Sequence, residues 1–362
     1  MAVPEPRPGI LAIAPYVGGE SSLPRMGRVI KLASNECALG PSPRAVAAYR
    51  DLAGELHRYP DGAATELRRA LANHHGLDAD RIVCGNGSDE LFALIARGYA
   101  GPGDEVLCSE HGFLMYPIVT KSVGATPVRA PETDLTADVD ALLARVGDKT
   151  RVVFLANPNN PTGTFVTRAE LERLHAALPG DCLLVVDAAY AEYISRNDYE
   201  PGVALVESND NVVMTRTFSK IYGLAGLRVG WAYCPPDVAA VLNRLRGPFN
   251  VTAPALAAAC AALDDIAFTD KARSHNDLML RWFSDEARAL GLEVNPSIAN
   301  FVILRFPDRP GKDADAAIAH LHAKGIIPRN IAAYGLPQWV RVSLGLEDEM
   351  REVVAALAEF MG

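Results

Sequence analysis

Short, almost wholly apolar runs recur along this chain, each followed by a segment with helical spacing. They are Arg81 to Cys84, Glu105 to Cys108, Val152 to Ala156, Leu183 to Val186, Val212 to Thr215 and Leu227 to Tyr233. A strand that is apolar at every position, rather than every second one, must be covered on both faces. Mostly parallel sheets sandwiched between helices provide that cover. The intervening segments carry helix boundaries. Thr65 to His75 is expected to begin on a Thr65 cap and end at Gly76, and Thr167-Arg168-Ala169-Glu170 reads as a capping box opening a helix that stops at Pro179-Gly180.

The pattern predicts an α/β protein with a large domain over residues 41–250, its mostly parallel sheet covered by helices. A Pro- and Gly-rich arm, residues 1–40, is expected to pack with a smaller α+β domain over residues 251–362. That smaller domain should hold a strand from Phe301 to Arg305 and helices from Asp313 to Lys324 and Glu347 to Phe360. A chain of 362 residues that is 49% hydrophobic has enough apolar surface for both cores.

In an open α/β sheet, ligands bind beyond the carboxyl ends of the strands. After the first run comes Gly85-Asn86-Gly87-Ser88-Asp89-Glu90, a glycine turn opening an apolar helix and suited to an anion. Glu90 stands where a dinucleotide fingerprint needs glycine, and no Gly-Lys-Ser/Thr follows, so neither a Rossmann nor a P-loop motif is present. The third run leads into Asn157-Pro158-Asn159-Asn160-Pro161-Thr162-Gly163, a stiff loop in which the Asn160 amide is a candidate donor to a ligand oxygen. The fourth ends in Asp187-Ala188-Ala189-Tyr190. A carboxylate at the mouth of so apolar a strand needs a cation or donors, and a pyridinium N–H is one such partner, a helix N-cap another. The fifth leads into Thr217-Phe218-Ser219-Lys220, with Arg228 beyond it. Here a primary amine able to condense with an aldehyde stands beside hydroxyls and a cation suited to a phosphate dianion. Each feature alone is explained by an ordinary turn; their succession at strand ends points to one ligand.

Composition narrows the classes. A net charge of −9 argues against a nucleic-acid partner. The six cysteines, Cys37, Cys84, Cys108, Cys182, Cys234 and Cys260, form no CxxC pair, and no histidine cluster has ligand spacing, so no metal site is expected and reduced thiols in the cytoplasm are. Met1 to Pro6 shows neither a basic nor an apolar leader region, and the apolar stretches are too short for a membrane span.

From about Leu11 to the C-terminus the chain resembles the class I and II aminotransferases, enzymes of fold type I that carry pyridoxal 5′-phosphate (PLP), and within them the histidinol-phosphate subgroup. The resemblance rests on Pro15-Tyr16, Lys31 to Glu36, Arg58-Tyr59-Pro60-Asp61-Gly62, Asn159 to Gly163, Phe218-Ser219-Lys220 through Arg228, Tyr334 to Pro337 and Val340 to Gly345. It implies that Lys220 holds PLP as a Schiff base and shuttles a proton, and that Asp187 pairs with the pyridine nitrogen. Asn160 and Tyr190 would bond the phenolic oxygen, and Phe113 would stack on the ring. Ser88, Asp89, Thr217, Ser219 and Arg228 would hold the phosphate, with Tyr59 reaching it from the partner of a homodimer. Arg341 would grip the carboxylate of glutamate or 2-oxoglutarate, and Arg329 and Tyr16 would read the distal phosphate of histidinol phosphate. The implied reaction is a step of histidine biosynthesis. An aromatic aminotransferase and a threonine-phosphate decarboxylase are the competing activities. Three places depart from the subgroup: Cys37-Ala38 in the Asn35 to Gly40 segment, Ala188 after the aspartate, and Asn330 to Ala333.

Overall fold

The computed structural model describes residues 3–24 and 27–362, so residues 1, 2, 25 and 26 of the arm lie outside the described residues. Its centre is a seven-stranded sheet. The strands are β1 (Ile82–Gly85), β2 (Glu105–Ser109), β3 (Thr126–Ala130), β4 (Thr150–Ala156), β5 (Leu183–Asp187), β6 (Val212–Thr217) and β7 (Gly230–Tyr233). Their spatial order is β1-β7-β6-β5-β4-β2-β3. The pairs from β6 through β3 are parallel, whereas β7 runs antiparallel to both neighbours.

Alternate residues of each strand enter different cores. Val153, Leu155, Leu184 and Val186 join the core on one face, whereas Val152, Phe154, Leu183 and Val185 join the core on the other. Double-sided burial is why these runs contain no polar alternation.

Three local expectations are corrected. The edge strand β3 escaped notice because its Thr126, Pro127 and Arg129 face partly into solvent and dilute the apolar signal. Residues Leu227 to Tyr233 are not one strand. Ala225–Leu227 is a 3₁₀ turn and Arg228 adopts a left-handed φ of 54°, so β7 starts only at Gly230. The helix Thr65–His75 has no Thr65 cap; the Asp61 carboxylate accepts instead from the Ala63 and Thr65 N–H groups, at 2.9 and 2.6 Å. Thr167 does cap its helix, Arg168–Ala177, by accepting from the Glu170 N–H, and Gly76 closes the earlier one in the left-handed region.

A second core lies in the C-terminal part, around β8 (Glu293–Val294), β9 (Phe301–Arg305), β10 (Arg329–Asn330) and β11 (Trp339–Ser343), ordered β8-β9-β11-β10. Helices Ile266–Ala289, Ala314–Ala323 and Glu347–Met361 pack on it, the second of them capped by Asp313. The strand Ile30–Lys31 pairs in parallel with Ile326–Ile327, and Ile30 and Leu32 are buried in this same core. The arm therefore brings Ala33, Ser34 and Asn35 to the carboxyl edge of the large sheet.

Candidate active site

The parallel strands deliver their last residues to one edge, and β7, running the other way, begins there. Gly230 pairs with both Gly85 and Thr217, which carries the preceding Arg228 to the same edge. A cavity of about 370 Å³ results. It is lined by Ser88, Asp89, Phe113, Asn160, Asp187, Tyr190, Thr217, Ser219, Lys220, Arg228, Arg329, Arg341 and Tyr16, so every candidate site residue except Tyr59 meets in one place. Tyr59 is 83% exposed and stacks on Phe249 with ring centroids 4.6 Å apart.

At one end of the cavity the helix Ser88–Tyr99 presents its N-terminus. The Arg228 guanidinium reaches Ser219 Oγ at 3.1 Å and Asp89 Oδ2 at 3.2 Å. Gly87 has to be glycine twice over: its φ is 79°, and a Cβ there would come within 2.4 Å of Arg228 Nη2. Free N–H groups, a helix dipole, hydroxyls and a cation make a cradle for a dianion.

Deeper in, Asp187 is buried with its side chain held by the Tyr116 and Thr215 hydroxyls and the Ala189 N–H. Tyr116 Oη donates to Oδ2 at 2.7 Å and Thr215 Oγ1 to Oδ1 at 3.5 Å. Burial raises the carboxyl to about 6, against the lowering effect of the Tyr116 hydrogen bond. Sequence reasoning missed Tyr116, which no motif marks and which only tertiary packing brings to Asp187.

Lys220 Nζ donates to the Ser34 carbonyl at 3.2 Å and lies 5.7 Å from the Tyr190 ring centroid. Burial, then the Arg341 cation, pulls its pKa down to about 8, while Asp89 and Glu36 act in the opposite sense. Tyr190 Oη accepts from Asn35 Nδ2 at 2.9 Å, which leaves its own O–H to donate. Asn35 also escaped sequence reasoning as a site residue, although its segment belongs to the family pattern. It holds a left-handed φ of 56° and is fixed by Ser343 and Asn300.

Arg341, on β11, is buried and donates to the Asn160 side-chain carbonyl and to the Ala33 carbonyl, the latter at 2.8 Å. Its Nε has no partner, and among the described residues no carboxylate pairs with it. A buried guanidinium met only by neutral oxygens is poised for an incoming anion. Arg329 donates to the Val17 carbonyl, and Tyr16 meets Phe113 edge-on at 6.5 Å. Both Arg329 and Tyr16 also line an adjoining cavity of about 580 Å³ with Lys121 and Arg129.

Taken as a set, these residues fit PLP: an amine for its aldehyde, an acid for its ring nitrogen, a tyrosine and an amide near its phenolic oxygen, and a cradle for its phosphate. No group of three His, Cys, Asp or Glu side chains that could hold a metal occurs among the described residues, and none of their helices is long and apolar enough to cross a membrane.

Comparison with known proteins agrees with this geometry. The family model "Aminotransferase class I and II" matches residues 27–357. The chain is 59% identical to a histidinol-phosphate aminotransferase of Paramagnetospirillum magneticum, over 100% of both chains. It is 56% identical to one of Rhodospirillum centenum, over 100% of this chain and 99% of the relative. Among solved structures, the histidinol-phosphate aminotransferase of Sinorhizobium meliloti in complex with pyridoxal-5′-phosphate superposes with a TM-score of 0.89 at 31% identity, covering 99% of this chain and 98% of that one.

Proposed function

The chain belongs to the class I and II aminotransferases, and from that premise we propose that it moves an amino group between histidinol phosphate and 2-oxoglutarate, forming imidazole-acetol phosphate and glutamate. The observation that carries this reading is the single cavity in which Lys220, Asp187 and the Arg228 cradle face a buried Arg341. PLP, when bound, supplies an electron sink for negative charge developing at the substrate's α-carbon.

The protein's residues do the rest. Lys220, with its depressed pKa, is an amine that can be neutral near physiological pH, and so can take the α-proton and hand it back. Asp187 holds the proton on the ring nitrogen. The Tyr190 O–H and the Asn160 amide address the phenolic oxygen, and Phe113 supplies an aromatic face for the ring. Ser88, Thr217, Ser219 and Arg228 hold the cofactor phosphate, with Asp89 offering its first-turn N–H and its carboxylate steadying Arg228. The arm segment with Tyr16, Gly18 and Gly19 lines one side of the cavity. Histidinol phosphate has no carboxylate, so we assign its phosphate to Tyr16 and Arg329, where the two cavities meet, and the carboxylate of glutamate to Arg341.

Arg341→Gln should therefore split the two half-reactions. The kcat/KM for 2-oxoglutarate is expected to fall roughly hundredfold, as for other buried charge pairs that lose one partner. The half-reaction with histidinol phosphate, measured by single-turnover absorbance, should fall far less. Equal losses would contradict the assignment of Arg341 to the carboxylate.

We further propose a homodimer in cytoplasm. The exposed Tyr59–Phe249 stack, with Leu56 and Tyr49 also exposed, supports a second subunit that takes Tyr59 into its own phosphate cradle. Six unpaired cysteines suit a reducing compartment.

A donor panel tests the activity. With 2-oxoglutarate as acceptor, histidinol phosphate is expected to exceed phenylalanine in kcat/KM by at least about a hundredfold, because phenylalanine can offer Arg341 a carboxylate but brings no phosphate to Arg329 and Tyr16. Comparable values would favour an aromatic aminotransferase. Release of CO₂ from threonine phosphate without a keto acid would favour a decarboxylase.

A further inference from the structure

Asp187 and its hydroxyl neighbour raise a question the family reading leaves open, namely what holds a buried carboxylate in one orientation and one charge state. Tyr116 is only 1% exposed, and its ring sits in an aromatic box. It stacks on Phe154 at 4.7 Å and 2°, and meets Phe92 and Phe113 edge-on at 5.4 and 5.8 Å. The ring cannot swing away, so its hydroxyl is presented at a fixed point, 2.7 Å from Asp187 Oδ2. Asp187 lies on the sheet face that Phe154 shares, since alternate residues of β4 and β5 enter one core. Phe113, at the cavity wall, touches the same box, so the ring stacker and the acid's anchor are packed as one unit.

We infer that Tyr116 is a positioning residue: its O–H fixes the Asp187 carboxylate in the orientation, and in the ionised form, needed to grip the cofactor's ring nitrogen. The inference rests on the reading of Asp187 as that nitrogen's partner. A phenolic O–H with one acceptor donates to it, and donation to a carboxylate favours the charged form. With Oδ2 so occupied, Oδ1, to which Thr215 makes only a longer contact, is the oxygen left for a ligand. The groups facing Asp187 from other elements are Asp89 at the start of its helix, Tyr190 and Tyr199; Asp89 opposes ionisation, so the donor counteracts both that charge and burial.

The test uses the full chain freed of cofactor and the probe pyridoxamine 5′-phosphate, which has the same ring and phosphate but no aldehyde, so attachment to Lys220 does not enter. Its dissociation constant is measured by fluorescence from pH 5 to pH 8 for the native chain, for Tyr116→Phe, and for a chain with 3-fluorotyrosine at position 116 alone. Loss of the hydroxyl is expected to weaken binding about tenfold at pH 7 and to move the acid-side midpoint upward by about one unit. Fluorotyrosine, a stronger donor of nearly the same shape, should move that midpoint downward. The ligand's own titrations are common to all three proteins and cancel in the comparison.

Midpoints and affinities that coincide, within about twofold, for the native and substituted chains would overturn the inference while leaving Asp187's role standing. Failure of the native chain to bind the probe would remove the reading of the site, and the inference with it. Should Tyr116→Phe not fold, the fluorotyrosine chain decides, an unmoved midpoint overturning the proposal.

Discussion

Lys220→Ala is expected to lower kcat by about four orders of magnitude, the upper end of what a positioned acid–base group contributes, and to leave the protein folded. Only a primary amine can both condense with an aldehyde and shuttle a proton at the adjacent carbon, and no other lysine lines the cavity. The site also tunes this amine. With a pKa near 8, about a tenth of the side chains are neutral at pH 7, against fewer than about one in a thousand for an ordinary lysine. Attachment of PLP to the native apoprotein should accordingly quicken as pH rises through 8. Because an ammonium held at Lys220 is desolvated, the alanine variant should melt no lower than the native apoprotein. A variant that kept more than about a hundredth of native turnover would show that another group moves the proton.

Asp187→Asn should cost roughly a thousandfold in kcat, a loss typical of removing one fixed charge from a water-poor site, with PLP still taken up. The amide preserves shape but cannot keep the ring nitrogen protonated, so the electron sink weakens. The same substitution has a stability consequence of opposite sign. The folded carboxyl holds its proton up to about 6, while in the unfolded chain it releases near the ordinary aspartate value of 3.8. Between those values the folded state binds more protons than the unfolded one, so Asp187's contribution to stability is present below about 4 and is lost as pH rises through 6. The asparagine variant of the apoprotein should therefore melt higher than native at pH 7.5 and equal to it at pH 4. Calorimetry at the two pH values checks this. On this assignment, ionised Asp187 costs the apoprotein stability at neutral pH.

The parts of the fold legible in the sequence are those where local pattern and tertiary environment coincide. Leu183 to Val186 is apolar throughout because both faces of β5 are buried, and the chemistry-bearing residues follow such strands because parallel strands end at a common edge. Pattern failed where neighbours in space decide. Thr126–Ala130 sits at the sheet edge, where partly exposed residues break the apolar run that marks the other strands. Arg228 looked like part of a strand, yet its left-handed backbone is what turns the guanidinium toward Ser219 and Asp89. Thr65 offered a cap by identity, but Asp61, four residues earlier, reaches the N–H groups first. In the site, Lys220, Asp187, Asn160 and Arg228 could be placed from their strand-end positions. Arg341, Arg329 and Tyr16 could be placed only by resemblance, since they reach the cavity from the C-terminal part and the arm. Tyr116 left no usable signal, because it acts on a residue 71 positions away, and Asn35 was marked only as part of a family segment, its partner Tyr190 lying 155 positions off.

The account depends on one covalent link between a lysine and an aldehyde. Borohydride reduction of the purified protein with PLP, followed by proteolysis and mass spectrometry, reads that link directly. The expected result is a single pyridoxyl adduct on the peptide carrying Lys220, lost in Lys220→Ala. An adduct elsewhere, or none under conditions that support turnover, would contradict the assignment of this cavity as the active site.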